Sequence, residues 1–405
     1  MIPGWLESRE VVRLFEALGA PAVDARVVGG CVRNHVMGFP VGEIDAATPE
    51  TPDAVMQRLA NAGVRVIPTG LDHGTVTALI GDRSFEITSL RRDTACDGRH
   101  AAVEFTRDWK EDARRRDFTF NAMSMRGDGE LFDYFGGLDD AEAGRVKFVG
   151  DPGDRIQEDY LRILRLFRFY AWYGRTSLDA ATLGACRAHA HGLTRLSVER
   201  VQAEIIKTLA APAPAQVLTL MQGCGVLTAI LPEITDLSRL AALARVESAV
   251  AAPTDWRRRL AACVTESDAE ALAQRLKFSA ADRLRLVRLT AAEPRLDAAT
   301  PAARVRAALY RHGPEVIYDR VLLAWALART RGGADDGWMD QLGHVAAWQP
   351  LSLPVSGADV LALGIAQSPR VGQILSAVEA WWMARDFAPS REDTLQELRR
   401  QAAKL

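Results

Sequence analysis

The feature that most constrains this chain is a change of pattern at Pro152. Before it, short β-like runs alternate with helical stretches; after it, the strand signal largely stops and long Ala/Leu/Arg-rich helical patterns run to the C-terminus. Residues 25–28, 43–47, 64–68, 76–80 and 84–88 read as strands bounded by Gly, Pro and Asp turns. Residues 52–63 read as a helix entered at Thr51 or Asp53 and stopped by Gly63, and residues 1–19 read as an amphipathic helix. The fold class is therefore α+β, with a small sheet and helices in an N-terminal unit and helices alone beyond it. A chain of 405 residues exceeds one core. Helix breaks at 211–215, 251–255 and 349–357 give an expected division into 1–150, 151–212, 213–348 and 349–405.

The formal net charge is −2, so charge as a whole does not favour nucleic acid, and any RNA site must be a local basic surface. Cys31, Cys96, Cys186, Cys224 and Cys263 lie far apart without metal-ligand spacing and read as reduced thiols of a cytoplasmic protein. The N-terminus lacks the basic start and apolar run of a signal peptide, and no stretch is long and apolar enough for a bilayer. No membrane association is expected.

Four constellations carry chemistry. Gly29-Gly30-Cys31-Val32-Arg33 follows an apolar run and precedes a helix, where two glycines let backbone amides approach a polyphosphate. Taken alone, an ordinary strand–helix turn is the better explanation of it. Glu43-Ile44-Asp45, read as a strand, projects two carboxylates from one face, and Glu86 on another apolar strand is placed to join them. Adjacent acids repel unless a cation neutralises them, and hard oxygen ligands suit Mg2+. The alternative is a solvated strand face. Arg114-Arg115-Arg116-Asp117-Phe118-Thr119-Phe120-Asn121 joins a charge run to aromatic residues, so at least one guanidinium is expected to be fixed against phosphate while Arg114 is exposed. Finally, Arg155, Glu158, Asp159, Arg162, Arg165 and Arg168 form a polar stripe when set on one helix. Asp159 and Arg162 supply an acceptor and a donor able to read a base edge, although a salt-bridged amphipathic helix has the same pattern.

In this order, the segments VVGGCVRN, GEIDAAT, DHGTVTAL, FEITSLRRDTACDGRHAAVEFT, RRRDFTFNAMS, DYFGGLDDAEAGRVKFVGDP and RIQEDYLRILRLFRF resemble the class II transfer-RNA nucleotidyltransferase and bacterial poly(A) polymerase family. SGADVLALGIAQSPRVGQILSAVEAWW resembles that family's tail. The resemblance implies a nucleotidyltransferase head (1–150), a helical neck with a nucleotide-templating helix (151–212), a helical body (213–348) and a tRNA-binding tail (349–405). It also implies addition of C, C and A to tRNA from CTP and ATP, with Mg2+ on Glu43 and Asp45 and with Glu86 assisting. Gly29, Gly30, Arg33 and Arg116 would contact the triphosphate, and Asp159 and Arg162 would act as a protein template. Arg165 and Arg168 would assist at nucleotide and primer, and Asp97-Gly98-Arg99 would form a flexible loop. DNA is not an expected partner. Glu43 stands where the family carries Asp, Asn34 where many relatives carry Asp, and Ser368 where Gly is usual. Poly(A) synthesis, partial CC or A addition, and a catalytically weakened RNA-binding homologue are the alternatives.

Overall fold

The computed structural model describes residues 2–96 and 101–404, with the side chains of 93–96 and 101–103 left aside; the expected loop residues Asp97, Gly98 and Arg99 lie outside the described residues. The chain forms two compact units, Met1–Ile234 and Thr235–Leu405.

The first unit begins with α1 (Arg9–Leu18), which buries Val11, Leu14, Phe15 and Leu18 along one face and ends at Gly19 in the left-handed conformation. Next come β1 (Arg26–Val28), α2 (Gly30–Val36), β2 (Asp45–Thr48) and α3 (Pro52–Asn61). The Thr51 side chain accepts the Ala54 N–H to cap α3, and Pro52 occupies its first turn. β3 (Arg65–Gly70), β4 (Thr75–Ile80), β5 (Arg83–Ser89), β6 (Arg91–Cys96) and β7 (Ala101–Phe105) follow. After α4 (Trp109–Arg114) come the short β8 (Ser124–Met125) and β9 (Leu131–Phe132), then α5 (Gly137–Ala143). One sheet has the order β3-β4-β5-β2-β1-β8-β9, and β6 and β7 pair separately.

The sheet register positions the chemistry. β1 pairs antiparallel with β2 so that Val28 faces Asp45. β2 runs parallel to β5 with Ala46 opposite Ile87, which sets Asp45 and Glu86 one step along the same register. The glycine turn after Val28, Asp45 and Glu86 therefore share one end of the sheet. β2 starts at Asp45, so Glu43 is not on the strand expected from the sequence. On the β1 side the ladder ends at Val28 opposite Asp45, because the chain turns into α2 at Gly29 and offers residues 43 and 44 no partner on that edge.

α6 (Pro152–Glu158) is capped by the Asp151 carboxylate, which accepts the Gly153 and Asp154 N–H groups. α7 (Leu161–Tyr173) starts after an extended Asp159, so the expected single stripe from Arg155 to Arg168 is divided between two helices. Asp159 itself makes the break, because its side chain accepts the Leu161 N–H at 3.0 Å. α7 packs on the head through Phe169, whose ring centroid is 5.3 Å from Phe118 and 5.6 Å from Phe120, both fully buried. α8 (Ala180–His189) and α9 (Val198–Leu209) complete the surroundings of α7.

The second unit is helical among its described residues. Its main packing includes Ser238–Ala249, which buries Leu240, Leu243 and Val246, and Pro314–Thr330, which buries Ile317, Val321 and Leu322. A separate small core of Val355, Val360, Ile374, Val378 and Leu398 unites the last helices. Ser368 precedes Pro369 with φ of −160°, an extended conformation that does not require glycine. Among the described residues no helix is long and apolar enough to cross a membrane.

Candidate functional site

A cavity of about 390 Å3 opens in the first unit, a size suited to a small polar ligand. Gly29, Gly30, Arg33, Asp45 and Arg116 line it from the head. Asp159, Leu161, Arg162, Arg165 and Phe169 line it from the segment that follows, together with Arg200 of α9. Eight of the residues expected from the sequence thus meet in one place, whereas Glu43, Glu86 and Arg168 are not on its wall. Asp117 and Asn121 also line it, and the five arginines on the wall exceed the three aspartates, making a local basic surface in a chain of net charge −2.

Gly29 has φ of 71°, and a Cβ there would lie 3.3 Å from the Arg116 guanidinium, so both backbone conformation and space favour glycine. Arg116 is held from behind by Asp112 at 3.4 Å. Burial raises the Asp112 carboxyl, but the Arg116 and Arg115 guanidiniums outweigh it and hold the carboxyl below its ordinary value. Arg114 is exposed, as its place at the edge of the charge run suggested.

Along the wall a polar chain links four side chains. Arg165 donates to Asp117 at 2.7 Å, Asn121 donates to the other Asp117 oxygen at 3.0 Å, and Arg33 donates to Asn121 at 2.8 Å. Arg33 also donates to Asn34 at 2.8 Å and to the Tyr173 hydroxyl at 3.1 Å. Its guanidinium is therefore largely engaged within the protein. Asn34 accepts from Arg33 while donating to the Pro40 carbonyl at 3.0 Å, an arrangement that suits an amide with both a donor and an acceptor. Arg168 turns to Glu204 at 2.5 Å and packs over Phe169.

Burial pushes the Asp45 carboxyl up to about 6, Glu86 and Glu43 add to the rise, and Arg116 opposes it. Glu43 and Glu86 are exposed. Among the described residues no group of three acids, histidines or cysteines is already gathered as a metal cage. The donor chemistry nevertheless fits a hard divalent cation, because a partly buried carboxylate stands in the field of two more with no salt bridge to any of the three among the described residues.

Asp159 and Arg162 are both occupied by protein partners. The Asp159 carboxylate accepts from Leu161 N–H and from Arg200 at 2.6 Å. Arg162 donates to Glu158 at 2.5 Å and to the carbonyls of Arg155 and Arg115 at 2.9 and 3.1 Å. Arg155 also donates to the Arg115 and Arg116 carbonyls, at 2.6 and 2.9 Å, so two guanidiniums dock this segment on the end of α4. Sequence reasoning did not single out Arg200, Phe169 or Tyr173. Phe169 and Tyr173 carried no mark that set them apart from the other apolar residues of α7, and Arg200 gave no signal because its partner is 41 positions away.

The Poly A polymerase head domain model matches residues 25–147, and the model described as "Probable RNA and SrmB- binding site of polymerase A" matches 177–237. The chain is similar to CCA tRNA nucleotidyltransferase 1, mitochondrial, of Danio rerio, at 34% identity over 96% of this chain and 90% of that one. It is similar to the CCA-adding enzyme of Levilactobacillus brevis at 32% identity, covering 92% of both chains. Its fold is similar to the Bacillus stearothermophilus CCA-adding enzyme solved in complex with CTP, with a TM-score of 0.78, 26% identity and 98% of each chain covered.

Proposed function

Because the chain belongs to the CCA-adding tRNA nucleotidyltransferase family, we propose that it completes the 3′ end of tRNA by adding C, C and A from CTP and ATP within the cleft of its first unit. The observation that carries this reading is the convergence on one cavity of a glycine turn, a carboxylate at the sheet end, arginines and the Asp159/Arg162 pair.

In the reaction the primer 3′-hydroxyl oxygen bonds to the α-phosphorus of the nucleotide, the bond to the β-phosphate oxygen breaks, and pyrophosphate leaves. Asp45, with Glu43 and Glu86 beside it, would hold a divalent cation, and magnesium suits their oxygen donors. When bound, the cation supplies positive charge to the triphosphate and acidity to the hydroxyl. Glu43 precedes β2 and lies off the strand ladder, where an extra methylene does not disturb pairing. Gly29 and Gly30 admit the triphosphate to the backbone, and Arg116 and Arg165 face its charge. Arg33, spent on Asn121, Asn34 and Tyr173, shapes the wall behind them. Arg168, tied to Glu204, acts through the packing of α7 on α9. Asp159 would accept from the amino group of C or A, and Arg162 would donate to the adjoining ring acceptor.

We assign residues 1–150 to the head, 151–212 to the neck, 213–348 to the body and 349–405 to the tail, with tRNA held by the helical regions through shape and phosphate contacts. A cytoplasmic setting is in keeping with the free, buried thiols of Cys31, Cys186, Cys224 and Cys263.

The test is incubation of the protein with tRNA lacking its CCA end, with each nucleotide singly and together, with and without chelator. Magnesium-dependent growth by C, C and A is expected. A homopolymer from ATP alone would assign poly(A) synthesis instead, and incorporation of no nucleotide would assign an RNA-binding homologue.

A further inference from the structure

Asp159 occupies an unusual place for a residue that must present a fixed carboxylate. It lies in a break between helices, with extended backbone at φ −155° and ψ 107°, where no helical turn restrains its side chain. Two contacts supply the restraint: the Leu161 N–H holds one oxygen at 3.0 Å, and Arg200 holds the other at 2.6 Å. The backbone is wedged as well. Tyr160 packs against Gly192, where a Cβ would fall 2.2 Å from the ring.

Arg200 and Glu204 lie one turn apart on the same face of α9 and form two ion-pair rungs. The inner rung, Glu204 with Arg168, is shielded, with side-chain exposures of 6% and 14%. The outer rung, Asp159 with Arg200, is 32% and 45% exposed, and both residues line the cavity. Buried Val201, Ile205 and the inner rung suffice to seat α9, and an exposed ion pair adds little to stability. The outer rung therefore has a different consequence, which is orientation.

We infer that Arg200 is a specificity-determining positioning residue that fixes the Asp159 carboxylate as an acceptor aimed into the nucleotide cleft. The inference rests on the reading of Asp159 as a base contact. A carboxylate oxygen has two acceptor directions, and one protein donor on each oxygen leaves one on each for a ligand. Cytosine and adenine present amino donors where uracil and guanine present carbonyl acceptors, so a fixed acceptor welcomes the first pair and repels the second. Without Arg200 the carboxylate turns about its side-chain bonds, and contact and rejection both weaken.

The experiment uses the full chain with tRNA lacking CCA for CTP and UTP, and tRNA ending in CC for ATP and GTP. Arg200→Ala is expected to lower kcat/KM for CTP and ATP about tenfold, mainly through nucleotide KM, and to narrow the CTP:UTP and ATP:GTP ratios. Affinity for tRNA stays within about twofold, and Arg200→Lys recovers part of the loss. In an Asp159→Ala background, Arg200→Ala has no further effect on nucleotide choice. Unchanged ratios in Arg200→Ala, an undiminished effect in the Asp159→Ala background, or a loss confined to tRNA affinity each overturn the inference. Unchanged nucleotide choice in Asp159→Ala alone would instead overturn the base-contact reading on which it rests.

Discussion

In the second unit, Glu247 and Asp319 are 3% and 2% exposed, and each meets guanidinium groups directly. Glu247 accepts from Arg258 and Arg259 at 2.8 Å each, and Asp319 accepts from Arg258 at 2.8 Å and Arg285 at 2.6 Å. Burial lowers the Arg258 guanidinium, but Glu247 and Asp319 outweigh it and hold the group above its ordinary value. In the first unit, Asp45 is also drawn out of water, yet its near neighbours include Glu86 and Glu43, and Arg116 compensates only in part. The first arrangement is electrically closed and serves the fold. The second is left open, with Asp45 at the wall of a cavity, and under the proposed function a ligand carrying positive charge would complete it.

The largest expected effect comes from neutralising the open cluster. Asp45→Asn should lower CTP addition by at least about a thousandfold in single-turnover assays while tRNA binding persists, since a ligand oxygen and its charge are both lost. Near-normal turnover would remove Asp45 from the site. The same type of change in the closed cluster should act on stability instead. Asp319→Asn leaves Arg258 and Arg285 without their shared carboxylate, and urea unfolding should show a loss of about 3–5 kcal/mol. A loss below about 1 kcal/mol would show that the network is not the buried brace described here.

A smaller, oppositely signed effect sharpens the contrast. The folded Asp45 carboxyl titrates at about 6 against an ordinary value of 3.8, so the folded state binds more protons between those values. Asp45 consequently lowers stability as pH rises through that window, and the deficit is complete above it. Without divalent cations, Asp45→Asn should stabilise the protein by about 1 kcal/mol at pH 7.5 after allowance for partial solvation, and by nothing at pH 3.5. Chemical denaturation at the two pH values checks this; equal differences at both would contradict it. The smallest change is Glu43→Asp, expected to alter single-turnover CTP addition by no more than a few fold, because Glu43 lies at the exposed edge and off the strand ladder. A tenfold or greater change would make position 43 a strict ligand.

Much of this comparison was legible in the sequence on the side of the cleft and little of it on the side of the second unit. Gly29, Asp45, Arg116, Asp159 and Arg162 stand in short segments whose local chemistry marks them, and they do converge. The strand assigned to Glu43 was too long, because side-chain alternation cannot reveal that β1 ends at Gly29. A continuous helix through Asp159 followed its i, i+3 spacing, but the Asp159 carboxylate competes for the Leu161 N–H and breaks that helix. Arg200 and the network of Glu247, Arg258 and Asp319 depend on pairs separated by 41, 11 and 61 positions, which no local pattern encodes. In sequence they read as ordinary charges on amphipathic helices.

The open character of the Asp45 cluster is tested most directly by thermal unfolding of wild type and Asp45→Asn at pH 7.5 across a magnesium titration. Without magnesium the variant should melt higher; added magnesium should raise the wild-type midpoint and close the gap while leaving the variant nearly unmoved. Equal shifts in both proteins, or a wild type already as stable as the variant in chelator, would contradict the account.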